Sequence, residues 1–286
     1  MSTPETTPDD TDAQTETDTD AEMDLTTTAG GFACKIDAAD LETYLEAYAT
    51  LVDEMKLNIT PEGFTARAVD PANVAMIDET LPADRFEHYS STGGTIGFNL
   101  DRLLNILGMA ETGDRAELEL DQETRKLQIQ LGGLSYTLAL IDPDSIRAEP
   151  DIPELDLAAE ATITGAQFDR GLTAVDMVTD HLTLRVGETD DGEEALVIEG
   201  EGDTDDVDLE LTGEECLGLA GVDSEAESLF SLDFLKDMNK AIPKSTEVTL
   251  RFDDEHPVMI EFDALPNDDD GELPVRFMLA PRIKSE

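Results

Sequence analysis

The residues in this chain that could carry chemistry are three histidines, two cysteines and several dense acidic runs. A structural zinc site needs Cys and His at short, regular spacings, and a disulfide framework needs more cysteines than this. Cys34 and Cys216 stand in opposite halves and meet neither requirement, so they read as reduced, partly buried thiols. His88, His181 and His256 are as widely separated, and only the fold could bring them to one site. Asp268-Asp269-Asp270 and Asp203-Thr204-Asp205-Asp206 invite calcium or magnesium, but neither has the regular ligand spacing of a calcium loop, and both read as solvated turns. The phosphate-binding G-x-x-x-x-G-K-[ST], the nucleophile elbow G-x-S-x-G and the zinc-protease H-E-x-x-H do not occur. The expectation is a protein that is not an enzyme and uses no metal or cofactor.

The acidic residues matter as a population instead. There are 68 of them against 18 Lys and Arg in 286 residues, a formal net charge of −50, and they are spread along every predicted element. Repulsion at that density destabilises a compact state in dilute buffer. In molar salt the Debye length falls to about 3 Å, which largely removes it. A salt-saturated cytoplasm is one reading; an acidic mimic of nucleic acid is the other, and charge alone does not separate them. No apolar run approaches the ~18 residues of a membrane span. The N-terminus lacks the basic start and apolar centre of a signal peptide, so a soluble cytoplasmic chain is expected.

The element that organises the chain is Ile141 to Leu155, I-D-P-D-S-I-R-A-E-P-D-I-P-E-L. Pro143, Pro150 and Pro153 remove backbone donors and push their predecessors into extended conformations, so the stretch reads as an ordered connector between two halves. The flanking sequence repeats: Phe98-Asn99-Leu100-Asp101-Arg102-Leu103 and Phe230-Ser231-Leu232-Asp233-Phe234-Leu235 share F-x-L-D-x-L, and each opens an amphipathic helix. Both helices precede a turn and short strands, Ala116 to Asp121, Lys126 to Leu131 and Leu134 to Ile141 in one half, Glu247 to Phe252, Val258 to Phe262 and Val275 to Ala280 in the other. A tandem duplication of an ordinary-sized domain follows.

Residues 1–31 hold almost no large apolar side chain and no Lys or Arg, so they are expected to be a disordered acidic tail. The halves are then 32–140 and 157–286, with the connector at 141–156. Strand Phe32 to Ile36 leads to a helix capped by Asp37, with Leu41, Leu45, Tyr48 and Val52 at helical spacing. Thr60-Pro61-Glu62-Gly63 turns a hairpin between Met55 to Ile59 and Phe64 to Val69. The second half offers strand Ala161 to Thr164, a helix with Phe168, Leu172 and Val175 on one face, and strands at Leu182 to Val186, Leu196 to Glu199 and Val207 to Leu211. Each half reads roughly β-α-β-β-β-α-β-β-β: an α+β fold of two similar domains, each an antiparallel sheet with two helices on one side.

With the duplication in place, three stretches resemble the archaeal proliferating cell nuclear antigen family of sliding clamps. They are Ala66-Arg67-Ala68-Val69-Asp70-Pro71-Ala72-Asn73-Val74-Ala75-Met76, the L-I-D that begins the connector at Leu140, and the terminal Met278-Leu279-Ala280-Pro281-Arg282-Ile283. The resemblance covers Phe32 to Ile283. It implies a homotrimeric ring around duplex DNA, helices lining the hole, which tethers DNA polymerase and other replication and repair proteins and is placed by a clamp loader. It also implies a groove beneath the connector for client peptides of the form Q-x-x-[LIM]-x-x-F-[FW], here Val69, Asn73, Val74, Met76, Ile152, Pro153, Pro257 and Met278, Leu279, Ala280, Pro281, Arg282 and Ile283. The subunit contact would pair the strand carrying Ser135, Tyr136, Thr137 and Leu138 with the one carrying Val207, Leu209 and Leu211. Arg102, Arg170, Lys236, Lys240 and Lys244 would face DNA, Lys236 and Lys240 supplying most of the attraction, while the helix from Asp37 to Val52 has no basic residue and shows Glu42 and Glu46. The alternative is an acidic DNA mimic or interaction scaffold that does not encircle DNA.

Overall fold

The computed structural model describes residues 31–121, 123–148, 155–189, 191–265 and 272–282. The acidic tail up to residue 30, connector residues 149–154 and the Asp268 to Asp270 run lie outside them.

Local signals set the helices. Asp37 ends β1 (Phe32–Asp37) and accepts the Ala39 amide at 2.9 Å, starting α1 (Ala38–Ala49), whose Leu41, Tyr44, Leu45 and Tyr48 are buried at helical spacing. The strands β2 (Glu54–Thr60), β3 (Gly63–Val69), β4 (Ala75–Pro82), β5 (His88–Ser91) and β6 (Gly94–Asn99) follow. Asn99 then caps α2 (Leu100–Leu107) by accepting the Arg102 amide at 3.1 Å. Strands β7 (Arg115–Asp121), β8 (Lys126–Leu131) and β9 (Leu134–Ala139) complete the first half.

The second half repeats this order without exception. It runs β10 (Ala159–Thr164), α3 (Gly165–Val175), β11 (His181–Glu188), β12 (Glu194–Glu201), β13 (Asp206–Thr212), β14 (Gly218–Ala220), β15 (Glu227–Ser231), α4 (Leu232–Asn239), β16 (Glu247–Phe252), β17 (Val258–Asp263) and β18 (Pro274–Leu279). Thr164 and Gln167 form a reciprocal capping box at the start of α3. The expected formula is two strands short in each half. Among those it lacks, β5 and β14 are brief and carry no buried residue, so no apolar alternation marks them.

The strands form three antiparallel sheets, ordered β5-β1-β7-β8-β9, then β14-β10-β16-β17-β18-β4-β3-β2-β6, then β13-β12-β11-β15. Each half contributes a five-stranded and a four-stranded sheet. The five of the second half and the four of the first fuse through β4 and β18, which pair Met76 with Met278 and Ile77 with Phe277. On the helix side of this junction Ile77, Phe277, Ile260 and Leu250 are fully buried.

One acidic residue is enclosed there as well. Glu79 is 3% exposed, and neither carboxylate oxygen has a hydrogen-bond partner. Burial pushes its carboxyl well above the usual carboxylate range. A raised acid contributes stability that is complete below the unfolded-state value near 4.3 and is lost as pH rises toward the folded one. Replacement by a neutral isostere removes that pH cost. Glu79→Gln is therefore expected to stabilise the fold at pH 7.5 relative to the wild type, an advantage that shrinks toward zero near pH 4.5. Denaturant unfolding in molar KCl at the two pH values measures it, and a pH-independent difference contradicts it.

Candidate interaction surfaces

The structure gathers no catalytic or metal constellation among the described residues. His88 lies in the five-stranded sheet, His181 in the four-stranded sheet beside Asp180, and His256 in the turn before β17, its Nδ1 2.7 Å from the Asp254 carbonyl. Cys34 and Cys216 are buried free thiols, and burial raises both above the ordinary thiol range, so neither is a ready nucleophile.

What the fold does build is a patterned face on the nine-stranded sheet, opposite the helices. Register aligns Val69, Met76, Met278 and Met259 across β3, β4, β18 and β17. The next row is charged: Arg67 pairs with Asp78 at 3.1 Å and Arg276 with Glu261 at 2.7 Å, while Arg251, opposite Met259 at the end of the methionine row, bridges Glu261 and Glu160, both at 2.7 Å. An apolar stripe three methionines long thus crosses the junction of the halves beside a stripe of ion pairs. Methionine suits such a surface because it is flexible and polarizable.

The stripe has framed ends. Buried Asp70 accepts the amides of Ala72, Val74 and Ala75 at 2.6, 2.7 and 2.7 Å, fixing the β3–β4 turn, in which Asn73 adopts a left-handed φ of 59°. Arg147 of the connector reaches that turn, donating to Asn73 Oδ1 and to the Pro71 carbonyl at 3.0 Å. At the other margin the Ala280 amide donates to the Val74 carbonyl at 2.8 Å and the Arg282 amide to that of Leu229 at 2.7 Å. Val69, Asn73, Val74, Met76, Met278 and Ala280 are therefore brought together, with half-buried Pro257 just before β17 and half-buried Pro281 after Ala280. Leu279 is a correction: it alternates with Met278, is 1% exposed and faces the core. Ile152, Pro153 and Ile283 lie outside the described residues. Sequence reading missed Met259, whose alternation with buried Val258 and Ile260 could have revealed it, and it missed the fastening role of Arg147.

The sheet order decides which edges are open. Of the six terminal strands, β5 and β6 follow one another in the chain, as do β14 and β15, so these four form corners where one sheet passes into the next. Among the described residues, β9 and β13 are the terminal strands outside these two pairs. Ser135, Tyr136, Thr137 and Leu138 lie on β9, where Tyr136 is 41% exposed; Val207, Leu209 and Leu211 lie on β13. Leu138 and Leu211 point into the core. The first-half strand stops at Ala139 instead of Ile141, because the Ile141 amide turns away to donate to the Gly97 carbonyl at 2.7 Å.

The helices carry few usable cations. Lys236 pairs with Asp176 at 2.7 Å, Lys240 with Asp237 at 2.6 Å and Lys244 with Asp169 at 2.9 Å. The lysines expected to dominate are thus matched by carboxylates. Arg102 on α2 and Arg170 on α3 are exposed with no ion pair among the described residues. Exposed Glu46 on α1 has its carboxyl raised, first by partial burial and then by the charge of Glu42.

Comparison with known proteins accounts for this pattern. The N-terminal domain of proliferating cell nuclear antigen matches residues 33–133. The DNA polymerase sliding clamp of Natronomonas pharaonis is 53% identical over 255 residues, covering 89% of this chain and all of the relative. The chain belongs to the proliferating cell nuclear antigen family. The clamp of Haloarcula marismortui is 51% identical over the same share of each chain. Among solved structures, A. fulgidus PCNA bound to the C-terminal region of FEN-1 superposes with a TM-score of 0.79 at 34% identity, covering 89% of this chain and all of that one. PCNA from Thermococcus kodakaraensis gives 0.77 at 27%, with 88% and 100% coverage.

The start of the connector is seated on Gly97. A Cβ there would stand 2.6 Å from Ile146 Cδ1 and 2.9 Å from the Ile141 carbonyl oxygen. Gly97→Ala is expected to cost about 1–3 kcal/mol by overpacking and to lift residues 141–148. Limited proteolysis should then cut the connector several-fold faster, and an unchanged cleavage rate would contradict the seating.

Proposed function

We propose that this DNA sliding clamp closes as a homotrimer around duplex DNA and tethers DNA polymerase and other peptide-bearing clients. The observation that carries this reading is a relation between strands. In the duplicated order β9 is the counterpart of β18, and β13 of β4. The chain already joins β18 to β4 internally, and its two open edges are the duplicates of those strands. Repeating the same antiparallel pairing between neighbours is a head-to-tail contact, which generates a closed ring when the rotation permits. A role as an acidic mimic of nucleic acid is not favoured by relatives that match most of the chain. The acidic surface fits screening by molar salt. Among the described residues no helix is long and apolar enough to cross a membrane.

Light scattering in molar KCl should give three times the 31.1 kDa chain mass, falling toward one in low salt as carboxylate repulsion returns. Tyr136→Glu should yield a folded monomer even in high salt. A wild-type monomer at every salt concentration contradicts the ring.

Retention on DNA then rests on topology, because counterion release contributes little at molar salt. The ring should bind short linear duplexes weakly, persist on nicked circles after loading, and leave when they are cut. Since the lysines are already paired, Arg102→Ala with Arg170→Ala should reduce the residual short-duplex affinity more than Lys236→Ala with Lys240→Ala. Tight binding to short duplexes in molar salt, or persistence after cutting, argues for a direct DNA binder.

A further inference from the structure

Strands β2 and β3 pair only from Asn58 and Thr65 to Thr60 and Gly63; beyond that they separate. The gap is a cavity of about 380 Å³, covered by connector residues Ser145 to Ala148. Val69 lines it and also begins the methionine stripe, so cavity and groove are continuous.

Its charge runs against the rest of the molecule. Lys56 from β2, Arg67 from β3 and Arg147 from the connector all line it, against exposed Asp53 and Glu54. A larger cavity of about 790 Å³ near the start of β18 shows the usual character, with Asp78, Glu79, Glu247, Glu261, Asp263 and Glu272 against Arg276. Arg67 shares its charge with Asp78, but Lys56 has no carboxylate in ion-pair reach among the described residues, and Arg147 is held by the neutral oxygens of Asn73 and Pro71. Positive charge in a chain of net −50 has thus been placed beside the groove without being fully spent on internal pairs.

We propose that this cavity receives a carboxylate side chain from the flank of a client peptide seated in the methionine groove, a reading that rests on the groove's own assignment. Lys56 and the Arg147 guanidinium would donate to it. Elsewhere on this surface an acidic flank meets like charge, so acceptance at one point and repulsion at others would fix the direction in which a client leaves the groove. At molar salt only groups in contact interact appreciably, and the benefit falls on residence time.

The test uses fluorescein-labelled peptides with a Q-x-x-L-x-x-F-F core flanked by two Asp, two Ala or two Lys, the pair placed before the core in one set and after it in another. Affinity for the full chain is measured by anisotropy in 1 M KCl. One Asp-flanked peptide should bind about 3- to 10-fold tighter than its Ala counterpart, and the Lys-flanked one no tighter. Lys56→Glu should abolish the Asp advantage while leaving the Ala-flanked affinity within twofold. Equal affinity of Asp- and Ala-flanked peptides overturns the proposal and leaves the groove standing. Failure of every core peptide to bind overturns both.

Discussion

The antiparallel pairing of β4 with β18 is the constraint on which the molecule depends. Without it the five-stranded and four-stranded sheets of opposite halves would each end in an unpaired edge over an exposed apolar face. With it, Ile77, Phe277 and Ile260 are sealed on the helix side. On the other side Met76 and Met278 meet, so the same hydrogen-bond ladder that closes the core also lays down the methionine stripe. A slip of one residue would send the methionines inward and the core side chains to the surface.

The electrostatics divide by depth. At the surface, solvent and concentrated salt screen the charges, so single exposed ion pairs contribute little. Their role is collective: Lys236, Lys240 and Lys244 are occupied by neighbouring aspartates, which leaves the helix face with few cations for phosphate. Below the surface the same residue type behaves oppositely. Glu79 is enclosed near Tyr44 and Tyr48, and that burial pushes its carboxyl well above the usual carboxylate range.

Much of this was legible in the sequence, for identifiable reasons. The repeated F-x-L-D-x-L marks α2 and α4 because a capping position before an apolar helix face is a local signal. Val69, Met76 and Met278 were reached through resemblance, and register then aligned them. Three things were not legible. The corners β5 and β14 bury nothing and so leave no periodic trace. The fastening of Arg147 to Asn73 and Pro71 is a contact between distant segments. The ion pairs of Lys236 and Lys244 depend on Asp176 at the end of α3 and Asp169 within it, and a charge count along one helix misses them.

The connector is fastened beside one seam. Its described start leaves β9, crosses β6 over Gly97 and is held at the β3–β4 turn, beside the hydrogen-bonded junction of the halves. A ring of three such chains has six seams of similar backbone pairing, alternating between those within a chain and those between chains. Only the former have a connector fastened beside them. Client sockets would therefore occupy every second seam, and the bare seams between them, held by no continuous chain, are where such a ring would part to admit a strand of DNA without disturbing a docked client.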